Sequence, residues 1–132
     1  MTKEIWLNLP VKDINRSKEF FRKLGFSFHP RHEGSNEMAG LIVGEKNVMV
    51  MLFTEAIFKS FTQNEITDTS RSTEVLLTID AESKEEVFEL AKKAEEAGGS
   101  VFAPPGGQGG MYGCGFKDPD GHRWNVLFME QK

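Results

Sequence analysis

The sequence predicts an α+β chain in which one structural plan is used twice. Three observations predict it. Each half opens on an alternating apolar stretch, passes through an amphipathic helical segment closed by glycine, and returns as three short strand-like runs. Val11-Lys12-Asp13 aligns with Ile79-Asp80-Ala81 at an offset of 68 residues. An even offset preserves side-chain parity, because successive strand residues point to opposite faces.

In the first half, residues 5–11 (Ile-Trp-Leu-Asn-Leu-Pro-Val) alternate as a half-buried strand does. Asp13 or Asn15 can cap the following helix, whose Ile14, Phe21 and Leu24 recur at helical spacing, and Gly25 ends it. Strands are then predicted over 26–30, 38–43 and 48–53, with turns at Gly34-Ser35-Asn36 and Gly44 to Asn47. A connector over 54–72 carries a short helix with Ile57, Phe58 and Phe61 packed inward. The second half repeats the order. Residues 73–79 form a strand, and Ser83 with Glu86 fits a capping box. Val87, Leu90, Ala91, Ala94 and Ala97 make the apolar stripe of a longer helix closed by Gly98-Gly99. Strands over 100–103, 112–117 and 123–129 follow, the last two separated by the turn Asp118-Pro119-Asp120-Gly121.

Parity assigns the faces. Ile5, Leu7, Leu9 and Val11 share one face, as do Val75, Leu77 and Ile79, beneath the helices. Trp6, Asn8 and Pro10 share the other with Glu74, Leu76 and Thr78. On the last strand Trp124, Val126 and Phe128 face the helices, which turns Asn125 and Leu127 the opposite way.

Composition narrows the function. With 132 residues, 39% hydrophobic and 27% charged, the chain is sized and balanced for one globular domain. No apolar run approaches the roughly 20 residues of a membrane helix, and no secretory leader is expected. Sixteen basic against twenty acidic residues give a net charge of −4, which disfavours a nucleic-acid or anionic-membrane surface. The total charge leans weakly toward a cationic ligand. The single cysteine, Cys114, cannot form an internal disulfide and fits a reducing cytoplasm.

Three phrases carry a family resemblance: Leu9-Pro10-Val11-Lys12-Asp13, Phe20-Phe21-Arg22-Lys23-Leu24-Gly25-Phe26, and Phe116-Lys117-Asp118-Pro119-Asp120-Gly121-His122. Together they resemble the vicinal oxygen chelate superfamily: glyoxalase I, bleomycin-resistance proteins, fosfomycin-modifying enzymes and extradiol dioxygenases. The resemblance implies one domain over 1–132, with βαβββ modules near 1–53 and 73–132. Their mixed sheets would curl around a shared open cleft.

Metal-dependent members hold a divalent ion with His and Glu residues from the first and last strands of each module. Those four positions fall here on Trp6, Met51, Glu74 and Asn125. Only Glu74 is a competent ligand for a hard ion; tryptophan donates nothing, methionine suits soft ions and a neutral amide is weak. No cofactor is therefore expected, and a divalent metal only through a non-standard site. His29 and His32 are read as surface residues without a third ligand nearby.

Glu74 is the candidate acid or base, provided apolar neighbours such as Leu76 desolvate its carboxylate. Trp6, Met51, Phe53, Leu76, Met111, Tyr112 and Leu127 form a candidate apolar lining, with Asn8 and Asn125 as polar anchors. The glycine-rich stretch 104–110 lacks the following helix of a phosphate-binding loop and is read as a flap or connector. Cys114 is read as a buried small residue.

The leading expectation is a cytoplasmic small-molecule-binding protein, homodimeric as the resemblance implies, acting by sequestration in the manner of bleomycin-resistance proteins. One alternative is a lyase or dioxygenase-like enzyme working through Glu74. The other is a dimeric interaction module with a vestigial cleft.

Overall fold

The computed structural model describes residues 1–107 and 109–130. The chain forms two compact units, Met1–Thr67 and Asp68–Lys132.

In the first unit, β1 (Leu7–Val11), α1 (Ile14–Lys23), β2 (Ser27–Phe28), β3 (Met38–Val43) and β4 (Val48–Thr54) are followed by α2 (Glu55–Thr62). The sheet order is β1-β4-β3-β2, with β1 and β4 parallel and the other pairs antiparallel. Asp13 caps α1, its carboxylate accepting from Arg16 N at 3.1 Å. Gly25 takes the φ of +102° that ends the helix turn without a Cβ penalty. One face of α1 supplies Ile14, Phe20 and Phe21 to a core completed by Leu9, Val11, Leu41, Val50 and Leu52, all buried. Such side chains contribute roughly 1.5–3 kcal/mol each on burial. The predicted strand over 26–30 is cut short at Phe28, because Pro30 starts a 3-10 turn over Pro30–His32 that His29 caps. Lys18 Nζ ties that segment to α1 by donating to Glu33 O at 2.9 Å.

The second unit repeats the plan: β5 (Leu76–Asp80), α3 (Lys84–Glu96), β6 (Ser100–Gly106), β7 (Met111–Lys117) and β8 (Arg123–Met129). Its order β5-β8-β7-β6 again pairs the first and last strands in parallel. The capping expectation at Ser83 holds with one difference. Ser83 Oγ accepts from Glu86 N at 3.1 Å, but the Glu86 carboxylate reaches Glu82 N rather than the N–H of Ser83. Trp124 stacks on Phe116 with planes 2° apart, and both are fully buried with Val87, Ala94 and Val126.

Four expectations need correction. Strand β1 begins at Leu7, where pairing with Val50 begins, so Ile5 is not beneath a helix but 82% exposed. Likewise β5 begins at Leu76, because β8 starts at Arg123 and Leu76 is the first residue paired to it. Thr73 to Val75 therefore lie outside the sheet. On α2, Ile57 and Phe58 are half-buried, but Phe61 is exposed and meets only the edge of Phe53, at 5.1 Å. The predicted flap begins as strand: Pro104, Pro105 and Gly106 belong to β6, whose register shifts absorb the prolines, and Gly109 and Gly110 form a turn. Gln108, within that predicted flap, lies outside the described residues.

Candidate functional site

Each sheet buries one face against its own helix and presents the opposite face. In the first unit the register places Asn8 beside Met51, and Met51 beside Gly40, in one row of that open face. A Cβ on Gly40 would lie 3.2 Å from Met49 Sδ and 3.4 Å from both Met51 Sδ and the Cβ of His29, so the thioethers close over the glycine. The adjacent row is Pro10, Phe53 and Met38. Phe53 is buried there, with Phe61 of α2 at its edge. Trp6 immediately precedes β1 and is 58% exposed. His29 Nδ1 accepts from Arg31 N at 3.1 Å, which gives that histidine a local turn-capping role.

In the second unit the rows are Leu76–Arg123–Lys117 and Thr78–Asn125–Gly115, followed by Asp80–Leu127–Gly113. Leu76 is 54% exposed, whereas Asn125 and Leu127 are half-buried. Phe102 of β6 lies over Gly115: a Cβ on that glycine would stand 2.5–3.0 Å from three ring atoms. The Arg123 guanidinium lies over the same ring, 4.4 Å from its centroid. Arg123 Nε is a buried side-chain nitrogen without a hydrogen-bond partner among the described residues.

Two sequence-predicted residues stand apart from these faces. Met111 has the parity of Gly113 and Gly115, so its neighbour Tyr112 faces the opposite side. There Tyr112 packs 6.2 Å from Phe88 of α3 and under Lys84 Nζ at 5.6 Å, which corrects its assignment to the lining. Glu74 sits in an exposed bend before β5. It therefore lies outside the paired rows of that face.

The metal positions can be judged on donor chemistry. Trp6, Met51, Glu74 and Asn125 offer one carboxylate, one thioether and one amide, which does not fit a hard or borderline divalent ion. Among the described residues no group of three or more His, Cys, Asp or Glu is placed to hold a metal. No chemical step is derived through one.

Arg123 and Phe102 are the residues that sequence reasoning missed. The signal was present for Arg123, which has the parity of Asn125. Phe102 reaches this face beside a register shift in β6 between Val101 and Ala103, a feature no alternation pattern announces. A separate buried cluster lies at the β7–β8 turn. Asp118 Oδ1 accepts from Asp120 N and His122 N, both at 3.0 Å, and Oδ2 accepts from Trp124 Nε1 at 3.2 Å. Burial raises this carboxyl to a pKa of about 6, against the opposing pull of His122 and the Trp124 bond. It orders a turn and has no open face. Cys114 Sγ is buried 3.8 Å from Val87 O, and burial pushes the thiol up to about 11.

Comparison with known proteins agrees with this architecture. The Glyoxalase/Bleomycin resistance protein/Dioxygenase superfamily matches residues 5–126. A hypothetical protein, SA1046 from S. aureus, is 33% identical with a TM-score of 0.86, over 97% of this chain and 95% of that one. A glyoxalase-related enzyme from Fulvimarina pelagi is 21% identical with a TM-score of 0.80, over 97% and 88%. A bleomycin resistance determinant encoded on the transposon Tn5 is 20% identical with a TM-score of 0.64, over 98% and 100%. No match was found among curated proteins. The repeated strand–helix–strand–strand–strand plan, its strand orders and the match across residues 5–126 lead to one conclusion: this chain belongs to the Glyoxalase/Bleomycin resistance protein/Dioxygenase superfamily.

Proposed function

We infer that the protein binds a small, partly apolar molecule on the open sheet face of its second unit and acts without the superfamily's four-ligand metal. One observation carries this reading. The Thr78–Asn125–Gly115 row places a hydroxyl and an amide beside exposed Leu76 and the Phe102 ring, on the face turned away from α3. A few fixed polar groups among apolar and aromatic side chains are the usual composition of a small-molecule site. Trp6, Asn8 and Met51 give the open face of the first unit a similar character.

Binding, with sequestration as its outcome, is favoured over a lyase or dioxygenase reaction because the enzyme reading rests on Glu74 alone. That carboxylate is exposed in a bend. The buried lone thiol fits a reducing cytoplasm, and we place the protein there as a homodimer. No helix among the described residues is long and apolar enough to cross a membrane.

A thermal-shift screen of aromatic compounds bearing neutral, cationic and anionic substituents tests the reading, since a ligand selective for the folded state raises Tm. The expected result is a concentration-dependent rise that Asn125→Leu diminishes. A flat response to every compound overturns it.

A further inference from the structure

We propose that Arg123 is the anchor for a carboxylate group of the ligand; this rests on the binding reading above and specifies its charge. The first observation is register. Arg123 is paired directly with Lys117 across β7 and β8, and with Leu76 across β5. Like charges facing each other across strands repel. No carboxylate among the described residues forms an ion pair with either cation. Two adjacent positive charges thus share one row of the open face, and the carboxylate of that face, Asp80, stands two rows away beside Leu127 and forms no ion pair with them.

The second observation is preorganisation. The Arg123 guanidinium carbon lies over the Phe102 ring, 4.4 Å from its centroid, and Phe102 is seated on Gly115, where any side chain would meet the ring. That contact restrains the guanidinium, whose buried Nε–H has no hydrogen-bond partner among the described residues. A planar donor fork in a set orientation matches the two oxygens of a carboxylate. Asn125, one row away, provides an amide for a further ligand oxygen or N–H. Leu76, exposed beside Arg123, provides apolar surface for the ligand body. The chain's overall charge of −4 points toward a cationic ligand, but the row at this end of the face holds two cations, with Asp80 two rows away, and local charge decides.

The experiment titrates the full-length protein with benzoate, benzamide and benzylamine, following the arginine Nε–H resonances by heteronuclear NMR. The Arg123 resonance is assigned by its loss in Arg123→Lys. Benzoate is expected to bind most tightly, to shift the Arg123 Nε–H signal, and to weaken with added salt. Arg123→Gln should reduce benzoate affinity by about tenfold or more, the loss of a charge-assisted hydrogen bond. Benzamide, which can make only a neutral-acceptor hydrogen bond to the same group, should lose less affinity than benzoate in that variant. Arg123→Lys, which keeps the charge without the fork, should fall between the two and covers the case in which the glutamine variant does not fold. If benzamide and benzoate bind equally and neither responds to Arg123 substitution, the carboxylate anchor is overturned while small-molecule binding stands. If no compound in the thermal-shift screen binds, both fall together.

Discussion

Trp124 donates its indole Nε1–H to Asp118 Oδ2 at 3.2 Å, so a fully buried aromatic of β8 is tied to the first residue after β7. The other oxygen, Oδ1, holds the N–H groups of Asp120 and His122. One carboxylate therefore orders the turn and fixes the start of β8, which places Arg123 and Asn125.

The pH dependence follows from that burial. Desolvation raises the Asp118 carboxyl from 3.8 to about 6, with His122 and the Trp124 bond opposing and Asp120 adding to the rise. Between those values the folded state binds more protons than the unfolded state. Stability from this group is thus complete below about pH 3.8 and declines as pH rises through about 6. A shift of two units corresponds to roughly 3 kcal/mol. Urea unfolding between pH 4 and 7 should show this decline superimposed on the other titrations, and Asp118→Asn should remove it. The same variant replaces an acceptor with a donor opposite Trp124 Nε1 and should lose about 1–3 kcal/mol at pH 7. An unchanged slope in Asp118→Asn would assign the titration to another group.

Gly115→Ala separates site from stability. The added methyl meets the outer end of the Phe102 ring, a side chain 38% exposed and able to swing away. Gly115 is buried, but because the ring can move, the loss of unfolding free energy should stay near the low end of the roughly 1–3 kcal/mol typical of overpacking. The Arg123–Phe102 stack, and with it the response to benzoate, should be lost. A variant that retains the full response shows that the stack does not position Arg123.

Cys114 should behave as an inert core residue. Its thiol is buried and raised to about 11, so the thiolate is scarce at neutral pH. A chromogenic disulfide reagent at pH 7.5 should label it at the rate of unfolding, and immediately in denaturant. Fast labelling of the native protein would contradict the packing against Val87.

Most of the architecture is written in local periodicity. Leu9, Val11, Leu77, Trp124 and Val126 alternate with polar or exposed neighbours because each sheet has one buried face. Asp13, Gly25 and Ser83 mark helix ends through their own backbone hydrogen bonds or φ, which depend on few distant residues. The failures lie where non-local pairing decides. Ile5 and Glu74 continue an alternating pattern beyond the point where a partner strand pairs with them. Tyr112 resembles Met111 as a candidate lining residue in chemical character, but adjacent strand residues face opposite ways. Phe102 enters the open face beside a register shift, and its seat on Gly115 depends on a residue on another strand. Its partner Arg123 is legible by parity alone, since it shares the face of Asn125.

The most direct test concerns what has replaced those donors. Elemental analysis of the purified protein, after equilibration with zinc, nickel, manganese and ferrous ions and removal of excess, measures the metal retained per chain. Since Trp6, Met51 and Asn125 add no carboxylate, imidazole or thiolate to that of Glu74, retention well below one atom per chain is expected, and unchanged in Glu74→Ala. One tightly held atom per chain, lost in Glu74→Ala, would contradict the account.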